Sequence, residues 1–397
     1  MAMLSRMLLS VSWPMAQGAA RTKPGLGFQG GGVGATIFCL SLAAGTAQAS
    51  EPPALFLSSR AAGRGGTGVA AFESTEAARF NPAILAESKA RVQIRPIALD
   101  GAIGENAIST ISDLTKLSDV SDGLSFLRSF EDKFGERQYL RGQISPVAFR
   151  IGGFEFQSFG GAASWLELRQ PSMIEATFEA DSMIGGQMSY AHALGAQWGL
   201  GATFRYLSRT FITGDLVFTD VLEFAPPASV QFDDYAPLQT GQGYAGDLGL
   251  IWHPTPVLRF GLTFENVGDT TFTANSEEKG APPPLLQSVN LGGVFRQKLG
   301  MWDLDYHADW RDVLQRYKQH LSRAFHLGLE LGRPIFTKDH DLGVTGGIQE
   351  GYLTGGVFVD VWLFRIDLSN YAVELGEVAG QRMDRRWALS LQTSISF

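Results

Sequence analysis

The sequence contains a single cysteine, Cys39, in 397 residues. That excludes a disulfide framework. Because Cys39 sits in a segment expected to be removed, the mature chain also has no thiolate for a metal site or a nucleophile. Charge is sparse: 18% of residues are Asp, Glu, Lys or Arg, where globular chains average about 25%. The formal net charge of −8 argues against a nucleic-acid partner, whose binders carry a basic footprint. Long apolar runs are missing as well. Beyond residue 50 the one long uncharged stretch runs from Ser182 to Phe204 and holds Gly185, Gly186, Gln187, His192 and Gln197. A membrane-spanning helix needs about 20 predominantly apolar residues, so this stretch reads better as a pair of strands. No convincing G-x-S-x-G, H-E-x-x-H or S-x-x-K motif appears. No catalytic residue, metal site or cofactor is therefore assigned, and the chain is not read as an enzyme.

What is present is a start signal and an alternation. Gly34 to Ala44 is a short apolar run, preceded by Arg6, Arg21 and Lys23 and followed by Ala47-Gln48-Ala49. A basic region, an apolar stretch and an A-x-A site make an export signal, here residues 1–49. An exported chain without a later apolar helix is periplasmic, secreted or an outer-membrane barrel.

The C-terminus points to the barrel. Trp387, Leu389, Leu391, Thr393, Ile395 and Phe397 alternate with Arg386, Ala388, Ser390, Gln392, Ser394 and Ser396. A transmembrane strand needs about 9–11 residues with this two-residue period. Phe397 closes the strand and is the expected point of engagement for the barrel-assembly machinery. The same period recurs at 258–264, 302–310, 325–331 and 364–369. Continued along the chain it predicts fourteen strands: 90–99, 143–151, 154–166, 185–194, 197–208, 243–253, 257–267, 287–297, 301–311, 323–332, 341–349, 353–362, 364–373 and 386–397. Connections after even strands are mostly tight and those after odd strands mostly long, the pattern of periplasmic turns and external loops. Tryptophans 165, 198, 252, 302, 310, 362 and 387 fall near strand ends, as interfacial girdles require. The expected fold is all-β: a transmembrane antiparallel β-barrel spanning 90–397, with an amphipathic helix in the first external loop around 108–133.

Residues 50–89 do not alternate. They carry Gly63-Arg64-Gly65-Gly66-Thr67-Gly68 and then Phe80-Asn81-Pro82-Ala83. The glycine string fits G-x-G-x-x-G, but no strand precedes it in a βαβ unit, so no dinucleotide site follows. Tight turns packed inside something larger are the simpler reading. Together with the strand count and the terminal phenylalanine, these motifs resemble the N-terminal hatch of FadL-type outer-membrane channels, a group whose wider relatives include PorV-like and TraF-like proteins. The resemblance implies a barrel plugged by residues 50–89, with Gly65, Gly66, Gly68, Asn81, Pro82 and Ala83 forming the hatch. It implies an outer-membrane location in a Gram-negative cell, contact with membrane lipid, and diffusive passage of a hydrophobic ligand such as a fatty acid or hydrocarbon. The alternative it leaves open is a PorV-like or TraF-like barrel that binds a protein partner in secretion or conjugation.

A lateral exit would need a weak place in the wall. In the third strand Phe154 and Phe156 keep one phase while Phe159, Gly161, Ala163 and Trp165 keep the other, which predicts a slip near Ser158. Gly160 and Gly161 lie there, and Pro146 interrupts the neighbouring strand. The alternation also points Arg91, Arg95, Asp303, Asp305, His307, Asp309, His326, Glu330, Arg365 and Asp367 into the lumen. Their expected role is mutual pairing. Asp303, Asp305 and His307 are spaced about 6.8 Å apart along a strand, too far to force one metal shell.

Overall fold

The computed structural model describes residues 56, 58–72, 77–87, 92–116, 133–169, 175–217, 237–276, 279–335, 341–361 and 363–396. The expected export signal, Arg91, Trp362, Phe397 and the second half of the predicted loop helix lie outside them.

Fourteen strands form a closed antiparallel barrel. In chain order they are β1 (Val92–Arg95 and Ala98–Gly104), β2 (Arg137–Ile151), β3 (Phe154–Arg169), β4 (Glu175–Leu194), β5 (Trp198–Val217), β6 (Gln239–Thr255) and β7 (Leu258–Glu265). The second half comprises β8 (Ser288–Leu299), β9 (Trp302–Trp310), β10 (Phe325–Arg333), β11 (Leu342–Gln349), β12 (Tyr352–Val361), β13 (Phe364–Glu374) and β14 (Met383–Thr393 and Ile395–Ser396). Each pairs with its sequence neighbours. The barrel closes where β14 meets β1, with Trp387 opposite Ile103 and Ile395 opposite Ile94. Closure leaves no unpaired strand edge, a condition for crossing hydrocarbon.

The burial pattern is the inverse of a soluble protein's. Buried positions hold Glu155, Gln157, Arg150, Gln187, Arg386 and Gln392, while Leu329, Val357, Phe364, Leu389 and many like them are exposed. A soluble sheet packs such apolar rows against a second layer and leaves the charges in water. Here the greasy face points out and the polar face points in, which is how a transmembrane barrel meets lipid. Aromatic rings gather at both ends of the outer surface. Trp198, Trp252 and Phe260 stack at 5.4 and 5.7 Å at the short-turn end, and Trp310 stacks on Phe325 at 5.3 Å at the other.

Strands β2 to β6 run to 15, 16, 20, 20 and 17 residues, longer than the sequence reading. The excess lies at the long-loop end, beyond the stretch lipid must cover. There no apolar outer face is required, so alternation fades and the sequence signal with it. The first loop begins with helix α3 (Glu105–Lys116), following short elements α1 (Ser59–Gly63) and α2 (Ala77–Phe80) in the N-terminal segment.

One expectation is corrected. The third strand does not slip near Ser158: β3 pairs with β4 without a break from Phe154–Tyr190 to Arg169–Glu175. Its apolar phase changes because Phe159 points into the lumen and is buried. Trp165, likewise inward, lies under the Arg137 guanidinium at 4.0 Å and belongs to no girdle.

Leu329 is exposed midway along β10. Leu329→Arg is expected to destabilise the barrel by about 2–4 kcal/mol, the cost of a cation at the bilayer midplane, measured by reversible denaturant unfolding in lipid vesicles.

Candidate functional site

The N-terminal segment lies against the inward face of the wall, and its composition explains how. Ser58 caps α1, its Oγ accepting from Ala61 N at 3.1 Å. The chain then reverses at Gly65 and Gly66, both left-handed with φ of +74° and +75°, a region that disfavours side chains. A Cβ on Gly66 would meet His326 Nδ1 at 2.9 Å. The His326 Nδ1 faces the Gly65 carbonyl at 2.7 Å, so that nitrogen carries the proton. Thr354 Oγ1 donates to Gly63 O at 2.9 Å and accepts from Gly65 N at 3.0 Å.

Charge holds the segment down. Arg60 Nη2 reaches Glu330 Oε1 at 2.5 Å and Arg64 Nη1 reaches Oε2 at 2.8 Å. The amides of Gly68 and Val69 donate to Asp309 Oδ2 at 2.7 and 3.1 Å. Phe72 lies between the guanidiniums of Arg259 and Arg296, 4.4 and 4.1 Å from the ring centre. Such contacts between buried charges and ring faces are specific but need every member present.

Asn81-Pro82-Ala83 has a physical reason at each position. Asn81 Nδ2 donates to Val69 O at 2.9 Å and to Leu250 O of β6 at 3.2 Å, and its Oδ1 accepts from Ala83 N at 3.0 Å. Pro82 opens a 3-10 helix, Pro82–Glu87, where its missing N–H is no loss. Ala83 is fully buried beside the wall glycines Gly201 and Gly249; a Cβ on Gly249 would meet Pro82 Cδ at 3.0 Å. The helix ends on Glu87, which bonds His253 and Arg259.

Other lumen groups pair among themselves. Arg95 and Arg150 share Glu155 at 2.9 and 2.6 Å. Asp305 pairs with Arg296 at 2.6 Å and Asp367 with Arg365 at 3.1 Å. His307 is buried and Asp303 half-buried. Of the arginine partners, Arg150 and Arg296 were not singled out in the sequence, and Arg60 and Arg64 stood there only within the hatch motif, with no pairing role assigned. Arg60 and Arg64 lie in the non-alternating segment, where no phase marks their direction.

Among the described residues three apolar clusters interrupt this polar lining, around Tyr139 and Tyr371, around Ile84 and Ile251, and around Phe159 and Leu207; the sequence reading missed the last. Phe159 of β3, Met183 of β4, Leu207 of β5 and Ala245 of β6 face inward together, joined by Phe272 and Leu285 from the connection after β7. Gly185 makes room: a Cβ there would meet Phe159 Cζ at 3.1 Å and Leu207 Cδ2 at 3.3 Å. Phe56 of the N-terminal segment packs onto the patch, edge-on to Phe159 with ring centres 4.8 Å apart. The flanking cations are paired, Arg209 with Asp181 at 2.8 Å and Arg79 with Asp100 at 3.4 Å.

Beside this patch the wall is irregular over several adjacent strands. β1 breaks at Pro96-Ile97, and in register those residues face Val147 and Pro146 of β2. Between β2 and β3 the pairing jumps from Ile144–Gly160 to Val147–Ser158, leaving Ser145 and Pro146 as a bulge opposite Phe159. The seam with β14 breaks at Ser394. Proline cannot donate to a ladder. Side chains take over some of the lost bonds: Ser158 Oγ donates to Val147 O at 3.3 Å, and Thr393 Oγ1 accepts from Ile97 N at 3.2 Å. Gly160 and Gly161 themselves sit in regular pairs with Ile144 and Gln143, so the irregularity belongs to Ser145-Pro146.

No family model and no curated protein matches the chain. Among solved structures it is similar to the Ralstonia pickettii toluene transporter TbuX, at 15% identity and a TM-score of 0.49 over 86% of this chain and 98% of that one. It is also similar to the CymD monoaromatic hydrocarbon channel, at 12% identity and a TM-score of 0.49 over 87% and 99%. A third similarity is to a Pseudomonas aeruginosa FadL homologue, at 12% identity and a TM-score of 0.46 over 85% and 98%. The barrel stands on its own strand register, independent of these likenesses.

Glu330→Gln would leave Arg60 and Arg64 without their carboxylate, and breaking a buried pair costs about 3–5 kcal/mol. Amide exchange at Gly65 to Val69 is expected to accelerate while the strands stay protected; unchanged exchange there would show that these pairs do not anchor the segment.

Proposed function

We propose that this protein is an outer-membrane channel through which small hydrophobic molecules diffuse, with residues 50–89 acting as its hatch. The loop end faces outside and the short-turn end faces the periplasm. The observation that carries the reading is the apolar patch around Phe159 and Leu207, which faces the lumen and is covered by the aromatic ring of Phe56. Phe56 fills the patch with a six-membered ring, so a molecule of similar size and polarity can compete for the same contacts. Both nearby arginines are already neutralised by carboxylates, which favours an uncharged hydrocarbon over a fatty-acid carboxylate.

Straight passage to the periplasm is unfavourable for such a cargo. Below the patch lie Gln157 and Gln187, then the Arg95–Glu155–Arg150 cluster, with Asn81-Pro82-Ala83 against the neighbouring wall. Desolvating those groups against a hydrocarbon is costly. The Ser145-Pro146 bulge, directly across from Phe159, supports a sideways exit between β2 and β3 into lipid. No energy source is required, since the cargo moves down its gradient into a hydrophobic phase.

Uptake of labelled toluene by cells producing the protein tests this. Leu207→Asp places a carboxylate in the patch and is expected to cut uptake at least about tenfold, since burying an unpaired charge is expensive. Cysteines at the paired positions Val147 and Ser158 are expected to block uptake when oxidised and to restore it on reduction. Undiminished uptake in the aspartate variant would overturn the channel reading; undiminished uptake in the oxidised pair alone would overturn only the lateral exit.

A further inference from the structure

Lysine and arginine are nearly absent from the outward face of the barrel. Among the described strand residues the alternation points the cations inward, with two exceptions, Arg333 at the turn end of β10 and Arg385 at the loop end of β14. Both are half-buried. Among the described residues the Arg333 side chain reaches Met301 Sδ, at 3.5 Å. Arg385 is held in a built position. Its Nη1 donates to Asn370 Oδ1 at 2.5 Å and to Leu353 O at 3.5 Å, and its Nη2 reaches Met383 Sδ at 3.5 Å, so the guanidinium extends from β14 past β13 to β12. Asn370 is itself oriented, its Nδ2 donating to Arg386 O at 3.4 Å. Among the described residues no carboxylate lies within ion-pair distance of Arg385.

The surface next to this cation is shaped for a chain rather than for water. Asn370 pairs with Gly355, and Gly355 pairs with Gly346, giving a floor without side chains on the outward face. Leu353, exposed at 71%, and Trp387 border it. An interfacial tryptophan marks the headgroup level, and a fixed guanidinium at that level matches a phosphate oxygen pair.

We propose that Arg385, oriented by Asn370, binds a phosphate of a phosphorylated, acylated sugar lipid of the outer leaflet, with an acyl chain laid over Gly355 and Gly346. The site lies outside the lumen and is separate from any transport path. It rests on the assignment of the loop end to the cell exterior. Among the described residues an exposed negative group is near: Glu105 follows Gly104, the register partner of Arg386. It lowers the affinity for an anion without cancelling the site.

The test uses the full chain folded in detergent, with bisphosphorylated lipid A as probe and native mass spectrometry as readout. Enzymatically dephosphorylated lipid A, phosphatidylglycerol and inorganic phosphate are the comparison probes. Wild type is expected to bind lipid A about tenfold more tightly than its dephosphorylated form, the scale of one charge-assisted pair. Arg385→Gln is expected to erase that difference, Asn370→Ala to reduce it, Glu105→Gln to increase it, and Arg333→Gln to leave it unchanged. Heat-dependent gel mobility verifies that each variant is folded. Retained discrimination in folded Arg385→Gln would overturn the proposal, as would its absence in wild type. Equal binding of phosphatidylglycerol would overturn the assignment to the outer-leaflet lipid, and equal binding of inorganic phosphate would overturn the role of the acyl groove.

Discussion

Hydrocarbon cannot hydrogen-bond, and that one constraint organises this chain. Every backbone amide at membrane depth must find a partner inside the protein, so the strands close into a ring. Every outward side chain must tolerate lipid, so the polar residues have one place left to go. The charged lumen is therefore a consequence of the greasy exterior. Glu155, Glu330, Asp305 and Asp367 are buried because the wall turns them inward, and each then requires the arginine found beside it.

The N-terminal segment exploits that situation. A lumen lined with carboxylates and arginines gives a short glycine-rich chain many anchoring points, and Arg60, Arg64, the Gly68 amide and Asn81 use them. Small residues on both sides permit the close approach. A polar interior also makes any apolar surface within it conspicuous. The patch beneath Phe56 adjoins the place where two prolines and a bulge interrupt the wall.

The sequence was most legible where lipid imposes its pattern. From β8 to β14 the apolar phase is nearly unbroken, and strand positions there agree with the two-residue period to within a few residues. It was least legible where lipid has no say. The outer ends of β2 to β6 rise past the membrane, and segments such as Arg137-Gln138-Tyr139-Leu140-Arg141 carry no outward apolar row. Phe159 misled for a related reason. Periodicity reports which residues are apolar, and an inward phenylalanine in a buried patch has the same letter as an outward one in lipid. The apparent slip near Ser158 was a change of purpose in a regular strand, while the true bulge sat on its neighbour at Pro146. The partners of Glu330 were hidden because they come from a segment with no period at all.

The most direct measurement is quenching by lipids brominated along their acyl chains, using variants that retain one tryptophan each. Trp387 lies on the outward face and Trp165 on the inward face, packed against Arg137. With the protein in bilayers, strong quenching of Trp387 and little quenching of Trp165 is the predicted result. Strong quenching of Trp165, or none of Trp387, would contradict the assignment of the two faces and the account built on it.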